Sequence, residues 1–157
     1  VMTAEIDDPL RLERQVCFAL AVANRSVLAV YRPLLEPLGL THPQYLVMLA
    51  LWGEAPMSVK AIAEAIQLDS PTLSPLLKRL ESAGLITRRR DPGNERTLVV
   101  DLTEAGRALR REAERIPPAV VDRLGVGLDH LEELREVLGR VNEAARSAAL
   151  VHQENEL

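Results

Sequence analysis

Aromatic residues are scarce in this chain: one tryptophan, two tyrosines and one phenylalanine among 157 residues. That scarcity, with ten prolines set against few strand signals, favours an all-α build with one small sheet over a β-rich one. A single cysteine, Cys17, allows no internal disulfide. This usage fits a reducing compartment, so a cytoplasmic location is expected. No unbroken apolar run approaches the ~20 residues of a membrane helix, and no signal-peptide pattern is visible, so no membrane partner is expected. Cys17, His42, His130 and His152 lack ligand spacing, and neither a metal nor another cofactor is expected. The net charge of −4 argues against a generic polyanion binder.

What is present is a concentrated positive stretch. Lys78, Arg79, Arg88, Arg89, Arg90 and Arg96 face only Glu81, Asp91 and Glu95 between positions 78 and 96, so the remainder of the chain is strongly acidic. The stretch lies inside Ser58–Leu102, which reads as two short helices followed by a hairpin. Val59, Ile62, Ala63 and Ile66 recur at helical spacing behind Ser58, a fit N-cap. Gln67-Leu68-Asp69 forms a tight turn. Ser70 can cap a second helix with Pro71 at its first position, and Leu73, Leu76, Leu77 and Leu80 make its buried stripe. Pro75 removes one backbone bond, and Gly84 ends the helix. Leu85–Arg90 and Arg96–Val100 flank the turn-forming Asp91-Pro92-Gly93-Asn94-Glu95. Helix, tight turn, helix and basic hairpin together describe a winged helix-turn-helix over 43–102. Its second helix would read the major groove of double-stranded DNA through Asp69, Ser70, Thr72 and Ser74, with Lys78 and Arg79 behind them. The hairpin would bring Arg88, Arg90 and Arg96 to the backbone and the minor groove.

The flanking segments read as helices. Residues 1–7 look frayed, and a long helix is expected from about Pro9 to Tyr31, apolar nearly all round. In so small a domain that surplus implies a partner chain. Pro33 and Pro37 bracket a short helical segment, Leu34–Leu38, closed by Gly39. Thr41 and Gln44 have the spacing of a capping box, and Trp52 reads as core. After the hairpin, Thr103 caps a helix from Glu104 to about Ile116, which Pro117-Pro118 must kink or break. Asp129 caps a last helix whose Leu131, Leu134, Leu138 and Val141 resemble a coiled-coil seam. The tail from His152 is polar and reads as loose. The expected architecture is thus one domain, 1–157, mainly α with a small β-wing. Helices of 9–38 and 103–150 would form the homodimer.

The sequence resembles the MarR family of regulators over roughly residues 10–150, and within it the organic-hydroperoxide-sensing OhrR branch. Gln15-Val16-Cys17-Phe18-Ala19-Leu20, Tyr31-Arg32-Pro33-Leu34-Leu35, Pro43-Gln44-Tyr45-Leu46 and Leu68–Arg79 carry the resemblance, with Gly84–Arg88 behind them. It implies a DNA-binding repressor, not an enzyme, that dimerises through intertwined terminal helices and is inactivated when Cys17 reacts with an organic hydroperoxide. Tyr31 matches a tyrosine that hydrogen-bonds the thiolate. His42 stands where a second tyrosine is usual, Ala21 where another is common, and Asn94 where an acidic residue often supports the arginine matched by Arg96.

From spacing alone Cys17 reads as a buried, inert small hydrophobe. Within one helix it lies too deep for the helix end to matter, and Tyr31, fourteen residues on, stands about 21 Å away. Only an antiparallel partner helix could unite them. With no second cysteine, a sulfenic acid at Cys17 would require a low-molecular-weight thiol, attack by a backbone nitrogen, or over-oxidation. The alternative is a regulator released by an aromatic or phenolic acid, with Arg14, Arg25 or His42 pairing its carboxylate.

Overall fold

The computed structural model describes residues 8–155. The expectation for positions 1–7 lies outside the described residues. Seven α-helices and three strands are seen among those residues: α1 Val16–Leu35, α2 His42–Glu54, β1 Met57–Ser58, α3 Val59–Ile66, α4 Ser70–Ser82, β2 Ile86–Asp91, β3 Asn94–Leu102, α5 Glu104–Ala113, α6 Ile116–Leu124 and α7 Leu128–Asn155. The chain divides into two compact units after Pro117.

The first unit has its core where α2, α3, α4 and the sheet meet. Val47, Met48 and Leu51 of α2, Ile62 of α3, Leu73, Leu77 and Leu80 of α4, and Ile86 and Val100 of the sheet are fully buried. Local signals hold as expected at three helix starts, including α5, where the Thr103 hydroxyl accepts the Gly106 N–H at 3.1 Å. Thr41 and Gln44 form the capping box on α2, and the Ser58 hydroxyl accepts the Ala61 N–H at 3.0 Å to start α3. At α4 the cap moves back one residue. Asp69, not Ser70, accepts the Thr72 N–H, at 2.7 Å, and Pro71 becomes the second helical residue. Gln67 takes the left-handed conformation at φ 58° that closes the turn.

The sheet has three strands where a hairpin of two is expected. Met57 and Ser58 pair with Val100 and Val99, giving the antiparallel order β1-β3-β2. A two-residue strand shows no alternation, so nothing local marks it. The wing turn is also tighter than expected: Asp91 pairs with Asn94 across Pro92-Gly93, and Asp91 Oδ1 accepts the Gly93 N–H.

The largest departures lie at the ends. The long first helix is broken: Leu12–Arg14 form a 3-10 turn, Gln15 is extended, and α1 starts at Val16. The Gln15 amide donates to the carbonyls of Pro9 and Arg11, tying the turn back on itself instead of continuing into α1. At its other end α1 runs through Pro33 to Leu35, followed by a 3-10 turn at Glu36–Leu38 that Gly39 closes at φ 71°. Taken with that turn, Val16–Leu38 is long and apolar enough to cross a membrane by length and composition alone. Arg25 and Arg32 interrupt the unbroken run sought in the sequence without lowering the mean enough to exclude it. The expected break is present: α5 ends at Ala113 and α6 starts at Ile116, with Pro117 and Pro118 in its first turn, where a proline removes no intrahelical bond. In the second unit, α7 starts at Leu128 with Asp129 in its first turn. Its backbone stays helical through Asn155, beyond the point at which a loose tail is expected.

Candidate functional site

The basic hairpin and α4 both present polar side chains to solvent. Asp69, Ser70, Thr72, Ser74, Lys78 and Arg79 are all exposed, opposite the leucine stripe. Asp69 is committed to the cap, and its bond from Thr72 holds its carboxyl below the usual range. The three wing arginines have different surroundings. Arg88 pairs with Glu81 at the end of α4 at 3.1 Å, which lowers the Glu81 carboxyl. Arg90 donates to the Glu95 carbonyl at 2.7 Å, across the tip of the wing. The Arg96 side chain is exposed, and its backbone N–H donates to Asn94 Oδ1 at 3.2 Å. Asn94 therefore supports the arginine through the backbone. On the opposite face of the hairpin, Arg89 and Arg107 share Asp101.

A second constellation sits at the junction of α1 and α2. Tyr31, near the end of α1, meets His42, the first residue of α2, edge to face at 4.9 Å between ring centroids. Tyr45, one turn further along α2, stands 6.1 Å from Tyr31 and 6.2 Å from His42. Both tyrosines of the chain thus converge on one histidine. Sequence reasoning placed Tyr31 and His42 together and missed Tyr45, although its three-residue step from His42 puts the two on one helix face. Burial pushes the His42 imidazole below 6.5 and the Tyr45 phenol above 10.0, with the nearby Tyr31 adding to the latter. Beside this cluster, Leu28, Arg32, Leu35, Glu36, Leu40 and His42 line a cavity of about 400 Å³.

Within the single chain Cys17 is exposed, where the spacing alone suggests burial. It is also the second residue of α1, not a mid-helix residue. The break at Gln15 puts it in the first turn, where free backbone N–H groups favour negative charge. Cys17 and Tyr31 lie on the same helix, so within one chain the fourteen-residue separation stands.

Residues 40–98 match the MarR family model. Over 130 residues the chain is 42% identical to the organic hydroperoxide resistance transcriptional regulator of Bacillus subtilis, a match covering 83% of this chain and 86% of that protein. The chain belongs to the MarR family. Among solved structures it is similar to reduced AbfR bound to DNA, at TM-score 0.71 and 32% identity, covering 86% of this chain and 94% of that one. AbfR, from Staphylococcus epidermidis, has also been solved overoxidized on DNA, at TM-score 0.66 and 34% identity over 83% of this chain and 95% of that one. The transcriptional repressor CouR bound to a 23-mer DNA duplex gives TM-score 0.77 and 28% identity, covering 85% and 96%. As a MarR-family member the chain is a DNA-binding transcriptional regulator and not an enzyme. The expected winged helix-turn-helix is the observed fold.

Proposed function

We propose that this MarR-family regulator is a repressor inactivated by organic hydroperoxide at Cys17, and that it acts as a homodimer on a near-palindromic operator. The observation that carries the sensing reading is the position of Cys17 in the first turn of α1, where free backbone N–H groups favour a thiolate. Its setting supports the dimer. Val16 is 65% exposed, Phe18, Leu20 and Val22 are exposed beside it, and Leu134, Val137 and Val141 of α7 are exposed as well. Apolar strips of this extent are covered by another chain in a stable protein. An antiparallel partner α1 would set Cys17 of one chain against the Tyr31–His42–Tyr45 cluster of the other. A phenol and a neutral imidazole are hydrogen-bond donors suited to a thiolate.

The chemistry then runs in two steps. The thiolate attacks one peroxide oxygen, the O–O bond breaks, and the leaving alkoxide takes a proton as the alcohol, leaving a sulfenic acid. A low-molecular-weight thiol attacks that sulfur and water departs, giving a mixed disulfide. The added thiol has no room in a packed helix interface, so the helices move and the two α4 reading heads lose their spacing. A relative crystallised on DNA while overoxidized agrees with the idea that the smaller oxygen adducts alone need not release DNA.

One observation favours a second reading, release by a small aromatic acid. The cavity beside His42 contains Arg32, a cation for a carboxylate, whereas neither Arg14 nor Arg25 lines it. Cys17→Ser separates the two. DNA affinity by fluorescence anisotropy is followed through a cumene hydroperoxide titration with a small thiol present. The parent should let go while Cys17→Ser stays bound. Equal release of both would transfer the assignment to the ligand-binding reading.

A further inference from the structure

The recognition helix and the wing enclose a cleft separate from the cavity beside His42. It measures about 380 Å³ and is lined by Ser58 and Lys60 at the start of α3, Ser70 at the head of α4, and Arg96, Thr97 and Leu98 of β3. In a winged helix bound to DNA, the head of the second helix occupies the major groove and the wing the adjacent minor groove. One sugar–phosphate strand separates those two grooves. That strand must therefore cross between Ser70 and the wing, where this cleft lies.

The chemistry of the cleft suits such a strand. Among the described residues no carboxylate is paired with Lys60 or with the Arg96 guanidinium, whereas Arg88 and Arg89 are paired with Glu81 and Asp101. Ser58 Oγ accepts from the Ala61 N–H, which leaves its own hydrogen to donate. Ser70 carries an exposed hydroxyl and Thr97 a half-buried one. Leu98 is exposed and offers an apolar surface to a deoxyribose. The geometry points to a seat for one DNA phosphodiester in this cleft, with Lys60 as its principal cation and Ser58 and Ser70 as hydroxyl donors. Because its walls come from α3, α4 and β3, a seated strand fixes the wing against the recognition helix. The seat serves every DNA sequence alike, since a phosphate carries no base identity. It rests on the DNA binding of the family and is independent of the redox reading.

The test compares the parent, Lys60→Ala and Lys60→Arg by fluorescence anisotropy. The probes are a random-sequence duplex and an operator recovered by selection from random DNA, each titrated across salt concentrations. Lys60→Ala should weaken both probes by the same factor, roughly threefold to tenfold, and flatten the slope of log affinity against log salt by about 0.9, one phosphate contact. Lys60→Arg should keep the parental slope. A methylphosphonate scan of the operator, made with the parent protein, should find one linkage whose neutralisation gives the same loss and abolishes any further loss from Lys60→Ala. The proposal is overturned by a parental salt slope in Lys60→Ala, by weakening confined to the operator, or by the absence of such a linkage. The hydroperoxide response of Lys60→Ala should match that of the parent, so failure here is distinguishable from failure of the sensing assignment.

Discussion

Two glycines should respond to the same substitution with opposite sign. Gly106 is the third residue of α5, packed against the strand that leads into the wing. A Cβ on Gly106 would collide with the Leu85 backbone carbonyl and lie 3.3 Å from Leu102 Cδ2. That carbonyl already accepts the Thr103 N–H, and the Gly106 carbonyl accepts the Trp52 indole N–H at 2.9 Å. The obstacle is backbone, so relief requires α5 or the base of the wing to shift. Forced shifts of this kind cost about 1–3 kcal/mol. Straining the indole bond adds about 1 kcal/mol. The better helix propensity of alanine offsets about 1 kcal/mol. Gly106→Ala should therefore lose about 1–3 kcal/mol. Gly53, in α2, has nothing within 4 Å of the place a Cβ would occupy, and Gly53→Ala should gain about 0.5–1 kcal/mol. Urea denaturation followed by circular dichroism, at one fixed protomer concentration, should move the midpoint down for Gly106→Ala and up for Gly53→Ala. A Gly106→Ala protein as stable as the parent would refute the packing argument.

Four further outcomes follow from the site. Leu134→Asp puts a charge on an exposed apolar strip of α7; sedimentation should show weaker dimers, and DNA affinity should fall with them. Tyr31→Phe should bind DNA normally yet need more cumene hydroperoxide for release, read by the same anisotropy titration. Arg96→Ala should weaken binding by an amount that changes with the A·T content of the operator flanks, and equal loss on all flanks would reassign it to a phosphate. Burial lowers the His42 pKa below 6.5, so the unfolded chain binds more protons in the window beneath that value. Stability from this group is complete above about pH 6.5 and is lost as pH falls through the lower folded value. His42→Gln should flatten the urea midpoint across that window.

Much of the DNA-reading half was legible because its signals are local. The Thr41–Gln44 capping box, the Ser58 cap, the leucine stripe of α4 and the exposed basic hairpin all follow from residues within a few positions of one another. The DNA-binding regulator they describe is the one that the family membership establishes. At α4 the local pattern points to Ser70 as the cap, and only the geometry shows it to be Asp69.

Tertiary structure decided the features whose partners are distant in sequence or whose signal is too short. The strand Met57–Ser58 exists because Val99 and Val100 offer it a free edge, some forty residues further along the chain. The Tyr31–His42–Tyr45 cluster needs α1 to fold back on α2, which no periodicity specifies. The start of α1 at Val16 turns on two hydrogen bonds from the Gln15 amide, with no glycine or proline to announce the break, and it moves Cys17 from mid-helix to a helix end. The necessity of Gly106 comes from a carbonyl twenty-one residues away at Leu85. Composition, periodicity and caps determine which helices form and which face each buries. Which side chains meet across them depends on the packing of the whole unit, and that is where the chemistry of this protein resides.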